Sequence, residues 1–387
     1  MLDARVAGAR MALVDRALDG LVVTSLANVH YLTGFRGTAG FVLLTHTDLR
    51  LVTDSRYIAV AHSLVADGGA PTSLRVTPVE RSYDETLGAA LRGMTSTRFG
   101  VEAEHLSVAR YYWLAGHLDL REAAGEGPAG GVSGVGGLTL VPVERCIERL
   151  RARKDQHEIA TLRTAARMLS DVAREVLPEA RGGRSERAVA NLIDAALRRA
   201  GFERPAFETI VASGPNGGFP HARPGDRELS TGDLVVLDFG GVHDGYCVDI
   251  TRVVAIGTPD STAARWHAAV LEAQQAAIGA VGPGARGADI DRAARQVLET
   301  HGLAEAFGHG TGHGLGIEVH EEPRIGRPAG SEASVPGDEI AVGMVFTIEP
   351  GVYLEGRGGV RIEDDVLVTP SGCEVLTDVE RGLLVNS

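Results

Sequence analysis

The stretch Leu234-Val235-Val236-Leu237-Asp238-Phe239-Gly240-Gly241, continued by Tyr246-Cys247-Val248-Asp249-Ile250-Thr251, decides how the rest of the chain reads. Two short apolar runs rich in Val and Ile, separated by glycines and an Asp-Gly, describe a pair of antiparallel strands. A turn centred on His243-Asp244 places Asp238 directly opposite Asp249, with both side chains on one face and about 5 Å apart at Cβ. Two carboxylates that close repel unless a cation lies between them. A metal site explains the pair; two aspartates at exposed strand ends is the plainer alternative. The device recurs in Val345-Phe346-Thr347-Ile348-Glu349 and Gly359-Val360-Arg361-Ile362-Glu363. A turn around Glu355-Gly356-Arg357 sets Glu349 facing Glu363. Acidic residues are depleted in strands and rarely buried without a partner. Two hairpins, each offering an opposed acidic pair, therefore point to a cation.

Around these hairpins, 387 residues are enough for two or three domains, and 44% apolar with 23% charged residues describes an ordinary globular chain. The formal net charge of −13 argues against a nucleic-acid partner, which would need a basic face. No apolar run approaches the roughly 18 residues of a spanning helix, so no membrane partner is expected. Asp3, Arg5, Arg10 and Asp15 leave no signal-peptide apolar region at the N-terminus. Cys146, Cys247 and Cys373 lie too far apart for a disulfide framework or a zinc knuckle, and they fit a reducing cytoplasm. Cys247 shares strand parity with Asp249 and reads as a small buried filler near the site.

Residues 1–147 alternate helical and strand patterns: a helix over Ala4 to Leu18, then strands at Leu21 to Val23, Gly40 to Leu44 and Leu49 to Thr53. That predicts a small mixed α/β domain. Ala124 to Gly137 is half glycine and nearly uncharged, and reads as a flexible surface loop. Leu140 to Ile147 is a short strand leading to a second domain, 148–387. Apolar residues at three- and four-residue steps predict a long helix from Lys154. A second helix runs from Ser185, its cap, to Ala200, with Gly201 as its stop. After the turn-rich Ser213 to His221 comes the first acidic hairpin. Helices over Ser261 to Ala280 and Ile290 to His301 follow, and then the second hairpin. Two helices and an acidic hairpin thus occur twice, which predicts a duplicated architecture around one central site.

Between the last helix and the second hairpin lies Phe307-Gly308-His309-Gly310-Thr311-Gly312-His313-Gly314-Leu315-Gly316. His309 and His313 have the spacing of helical zinc ligands, but five glycines disfavour a helix. The glycines instead let backbone approach a ligand closely. With His221 and His320, four histidines beside turns or strand ends point to function.

These residues together resemble the pita-bread metallopeptidases, in the branch that includes aminopeptidase P and prolidase. Asp238, Asp249, His313, Glu349 and Glu363 match that family's five ligands in order. The surrounding words match too: Ser213-Gly214-Pro215-Asn216, Pro220-His221, Asp249-Ile250-Thr251-Arg252, Gly310-Thr311-Gly312-His313-Gly314, Val319-His320-Glu321, Ile348-Glu349-Pro350-Gly351 and Gly359-Val360-Arg361-Ile362-Glu363-Asp364. The segment from Asn28 to Gly40 resembles the branch's smaller first domain, so the likeness spans almost the whole chain. It implies an α/β (α+β) fold, with an N-terminal mixed α/β domain and a C-terminal pita-bread domain. There the duplicated helix-helix-hairpin halves surround a curved antiparallel sheet.

The resemblance further implies two divalent ions, manganese first, with cobalt or zinc as alternatives. The oxygen-dominated ligand set itself favours manganese, cobalt or magnesium over thiolate-bound zinc. In the family pattern Asp249 and Glu363 bridge, Asp238 chelates one ion, and His313 and Glu349 hold the other. Glu349 is the implied general base or proton shuttle, His320 the group that polarises the carbonyl, and His221 lines the pocket. His309, Arg357 and Arg361 are further substrate-binding candidates, and Arg36 of the first domain another. Arg361 is expected on the face opposite Glu363, with an ion pair to Asp364 or Asp365 as its plainer role. Thr251 is expected to hydrogen-bond near Asp249. The implied reaction is exopeptidase hydrolysis of the Xaa-Pro bond in small peptides by a cytoplasmic homodimer. The dipeptidase is preferred over the aminopeptidase acting on longer peptides. A metal-free binding module on the same scaffold is the alternative of another class. A creatine-hydrolysing relative lacks the metal set, and methionine aminopeptidases lack so large a first domain.

Overall fold

The computed structural model describes residues 1–94, 98–118, 120–122, 132–134, 138–327 and 339–387. The chain divides into two compact units, Met1–Arg151 and Ala152–Ser387. Among the described residues, the first unit is a mixed sheet of eight strands. Their order is Leu74–Pro78, Leu49–Thr53, Phe41–Thr45, Gly20–Val23, Arg98–Glu102, Thr139–Val143, Val132–Gly134 and Leu120–Glu122. Val22, Phe41, Leu43, Val52 and Phe99 pack beneath helical Leu87, Leu91 and Leu114 as its core. Part of the stretch expected as a glycine-rich loop, Val132–Gly134, is a strand, because ladder pairing with Thr139 and Leu140 uses backbone groups that glycine also carries. The rest of that loop lies outside the described residues. The strand expected over Leu140 to Ile147 is shorter, Thr139–Val143. The short helix Glu148–Ala152 follows it and ties into the first unit, where Arg151 donates to Asn28 Oδ1 at 2.7 Å.

The second unit opens with the helix Gln156–Val176, started by an Asp155–Glu158 capping box. The helix Glu186–Ala200 starts at Ser185, whose hydroxyl accepts the Ala188 N–H, and stops at Gly201 with φ +97°. A second helix pair, Ser261–Gly279 and Gly287–Thr300, repeats the arrangement. Among the described residues, the second unit holds two five-stranded sheets, each carrying part of one acidic hairpin, and a two-stranded sheet of Gly351–Leu354 with Gly358–Arg361. Where they meet, Glu363 N–H donates to Thr251 O at 3.2 Å, the ladder contact that joins the halves.

The first hairpin, Leu234–His243 with Tyr246–Ile256, pairs His243 with Tyr246 and Asp238 with Thr251. The turn is therefore Asp244-Gly245, with φ +48° and +79°, and not His243-Asp244. Both central residues at positive φ match the right-handed twist of the strands, which is why Asp-Gly outcompetes the neighbouring register. The shift is by two residues, so every side chain keeps its face. In the second hairpin, Ile348 pairs with Asp364 and Gly351 with Arg361, so Glu349 and Glu363 stand level between two ladders. Burial follows the two-residue alternation. Val235, Leu237, Phe239, Val248 and Ile250 pack with the first helix pair. Leu234, Val236, Val253 and Ala255 pack with the second pair, and Asp238, Asp249 and Thr251 share their face.

Candidate metal centre

Asp238, Asp249 and Glu363 are 7%, 5% and 2% exposed. Carboxylates at that depth demand partners, yet Asp238 Oδ1, Asp249 Oδ1 and Glu363 Oε1 have none among the described residues. Donor atoms of Asp249, His313 and Glu363 all lie within 4.8 Å of one another. Burial, then Glu363 and Asp238 beside it, pushes the Asp249 carboxyl well above the usual range. Burial, then Glu349 and Asp238, does the same to Glu363. A divalent cation among these oxygens lets them ionise together, so the residues present fit one.

Each remaining group is fixed by its element. Asp238 is diagonal to Asp249 rather than opposite it, because of the turn, but both stay on one face. Arg361 lies two positions before Glu363 and so shares its face, contrary to the expected opposite one. Its guanidinium pairs with the Asp238 carboxylate and donates to Tyr353 Oη at 2.8 Å and Thr251 Oγ1 at 3.2 Å. It is 3% exposed and supports Asp238 instead of pairing with Asp364 or Asp365. Thr251 donates to Glu363 Oε2 at 2.6 Å, not to Asp249, because the bridge between halves brings that glutamate alongside. Asp249 N–H is given to Asp365 Oδ2 at 3.1 Å.

His313 Nδ1 lies 3.1 Å from Gly314 O, which assigns the proton to Nδ1 and leaves the Nε2 lone pair for a cation. Its Nε2 stands 3.5 Å from Glu349 Oε1. Burial raises the Glu349 carboxyl and lowers the His313 imidazole, so neither carries its usual charge readily. Glycine makes the surrounding loop possible: a Cβ at Gly312 would lie 1.9 Å from Thr347 O. The His320 ring sits 4.3 Å from that of His313. Burial, with His313 and His221 nearby, holds His320 below its ordinary value. His309 is engaged at both nitrogens, Nδ1 with Gly310 O at 2.7 Å and Nε2 with Tyr353 Oη at 2.8 Å. His221 is exposed after Pro220, whose carbonyl accepts from Arg361 at 3.3 Å. Arg357 lies over the Trp266 ring at 5.0 Å, outside the carboxylate group. Arg36, in the first unit, donates to His30 Nε2 at 3.2 Å. Cys247 is buried near the site, and burial pushes its thiol up to about 12.

Two residues escaped the sequence reading. Tyr353 joins His309 to Arg361, and Arg324 stands directly opposite His313 in the sheet. Both depend on cross-strand pairing, and Arg324 signals itself only once the His313 register is known.

The family model for metallopeptidase family M24 matches residues 160–370, and that for the creatinase/prolidase N-terminal domain matches residues 5–153. The chain belongs to metallopeptidase family M24. As a member, it is a metallopeptidase, a hydrolase of the Xaa-Pro peptidase and prolidase branch. It is 34% identical over 375 residues to the Bacillus subtilis peptidase YqhT, described as uncharacterized, covering 95% of this chain and 96% of that one. A solved Xaa-Pro dipeptidase from Bacillus anthracis shares 30% identity with a TM-score of 0.88, covering 100% of both chains. An X-Pro aminopeptidase from Thermotoga maritima shares 30% with a TM-score of 0.83, covering 98% of this chain and 99% of that one.

Proposed function

We propose that this M24 metallopeptidase hydrolyses the Xaa-Pro bond of small peptides, dipeptides in preference. Asp238, Asp249, His313, Glu349 and Glu363 hold two divalent cations, manganese first with cobalt or zinc able to replace it. The observation that supports it most is the convergence of Asp249, His313 and Glu363 donor atoms within 4.8 Å, beside three buried carboxylate oxygens without a hydrogen bond. When bound, such ions activate water and polarise a carbonyl.

The chain's own groups divide the remaining work. Arg361 and Thr251 orient Asp238 and Glu363, while Gly314 O fixes the His313 tautomer. The Glu349 carboxyl, raised by burial, takes a proton from the attacking water and returns it to the leaving amine. His320, kept neutral by burial, donates an N–H to the developing oxyanion, an effect worth roughly 3 kcal/mol. His221, exposed beside the Arg361-bound Pro220 carbonyl, lines the pocket mouth. The prolyl amide has no N–H to offer, so recognition falls on the ring and the peptide termini. A dipeptide also presents its carboxylate. Arg324, exposed and opposite His313 in the ladder, is the candidate to receive it, whereas Arg361 is buried against Asp238 and Arg357 stacks on Trp266.

The likeness to an X-Pro aminopeptidase supports the second reading, action on longer peptides. Assays with manganese on Gly-Pro-type dipeptides beside Xaa-Pro-Xaa peptides decide between them. The dipeptides should show the higher kcat/KM; cleavage confined to longer peptides would install the aminopeptidase instead. Absence of metal-dependent hydrolysis on the whole panel would remove the Xaa-Pro assignment. A cytoplasmic homodimer belongs to the same proposal, and sedimentation of the purified chain checks the dimer. Among the described residues, no helix is long and apolar enough to cross a membrane.

A further inference from the structure

Lys154 and Glu321 form an ion pair at 3.3 Å, with side chains only 1% and 5% exposed. Such a pair is weak support for stability, because desolvation offsets much of the attraction. Its position gives it another use. Lys154 immediately precedes the Asp155 cap of the Gln156–Val176 helix, and its N–H donates to Gly343 O at 2.8 Å. The ammonium is therefore anchored to a rigid element. Glu321 directly follows His320 and closes the turn that carries it: its Oε1 accepts the Glu318 N–H at 2.9 Å. The carboxylate lies so close over Gly316 that a Cβ there would meet Oε2 at 2.8 Å. The other side of the turn is held by the strand of Asp249, where Cys247 N–H donates to Gly316 O at 2.6 Å. Among the described residues, no hydrogen bond holds the His320 ring itself, whose ring contact is His313 at 4.3 Å. The aim of His320 is thus set by the backbone of a turn clamped between Cys247 and Lys154.

We propose that Lys154 is a positioning residue that acts through Glu321 to hold His320 at the reacting carbonyl. The inference rests on the role given to His320 above. A fixed charge pair holds a turn in one geometry where an apolar contact of equal volume allows several.

The test is a double-mutant cycle on the metal-loaded enzyme, with an Xaa-Pro peptide cleaved by the wild type. Lys154→Met/Glu321→Met replaces the pair with apolar side chains of similar volume, a change that often leaves stability intact. The expected result is a kcat lower by about 10- to 100-fold with KM within about twofold, the signature of a misplaced group. Bound metal per chain and Tm stay at the wild-type values. Combined with His320→Ala, the paired substitution lowers kcat no further than His320→Ala alone. Wild-type kcat in the paired variant overturns the proposal, and so does an undiminished further loss in the His320→Ala background. Full kcat in His320→Ala by itself overturns the role of His320, and the inference with it. Should the paired variant not fold, Glu321→Gln keeps the volume, removes the charge and runs the same cycle.

Discussion

Asp249 shows how one residue can be wrong for stability and right for a ligand. It is 5% exposed, one of its oxygens is unpartnered, and Glu363 and Asp238 oppose its ionisation. Asp249→Asn removes a repelled charge while nearly preserving volume. The metal-free variant should unfold at or above the temperature of the metal-free wild type, by calorimetry. Hydrolysis should fall by at least about 10²- to 10³-fold, the scale of losing a group that organises transition-state charge. A variant with wild-type kcat would remove Asp249 from the ligand set. The acidic residues of the hairpins stand out in the sequence because carboxylates are costly in buried strands, and Asp238, Asp249 and Glu363 are buried. Arg361 departs from expectation in both face and partner: it shares the face of Glu363 and pairs with Asp238, not with Asp364 or Asp365. Tyr353 was invisible because its role depends on a partner, Arg361, across a hairpin. A tyrosine in an amphipathic strand carries no local sign of that.

The helices were legible for a different reason: apolar residues recur at three- and four-residue steps, and Ser185 and Gly201 mark the ends of one. Asp155, Ser185 and Asp260 each accept backbone N–H groups where a helix begins, and Gly201 at positive φ ends one. The hairpin register was missed by two residues because the turn is decided by backbone twist at Asp244-Gly245, which apolar patterning does not encode. Asp364 is an element-scale node that patterning also hides. Wholly buried, it accepts from Arg252 at 2.8 Å and from Gln274, Thr377 and Arg381 at 2.6 Å each. Arg252 in turn donates to the carbonyls of Thr251 and Glu363, at the junction of the halves. Asp364→Ala leaves that guanidinium buried without its anion and should lower stability by about 3–5 kcal/mol, measured by denaturant unfolding. A loss under about 1 kcal/mol would show the node to be dispensable. On the Ser261–Gly279 helix, His267 is 5% exposed with Nε2 unpartnered, and burial lowers its pKa. The native state then binds fewer protons than the unfolded chain, so its stability falls as pH drops below the unfolded value of about 6.5. His267→Leu should flatten the decline between pH 6.5 and 5.5, by up to about 1.4 kcal/mol per pH unit for a full proton. An unchanged slope would assign the decline to other groups.

At the scale of the second unit, the candidate metal ligands lie on a seam. Asp238 and Asp249 come from the hairpin that follows the first helix pair, and His313, Glu349 and Glu363 from the half that follows the second. Backbone joins the halves here through the Thr251–Glu363 bridge, and otherwise buried carboxylates confront one another across it. Without cations the seam holds repelling or protonated acids; with them it becomes a crosslink between halves that are far apart in sequence. Metal should therefore act as a folding ligand as well as a reagent. Removal by chelation followed by return of manganese should raise stability by about 2.7 kcal/mol when free ion reaches about 100 times its dissociation constant. The gain should be absent in Asp249→Asn. Hydrogen exchange locates the effect: protection should rise on metal binding at Asp238–Gly240, Val248–Thr251 and Ile348–Glu363, and stay constant in the Gly20–Val23 strand of the first unit. Exchange through local opening supports this contrast, since it reports the stability of each cooperative unit separately. Uniform protection across both units, or none at the seam, would mean that the five side chains do not share a cation.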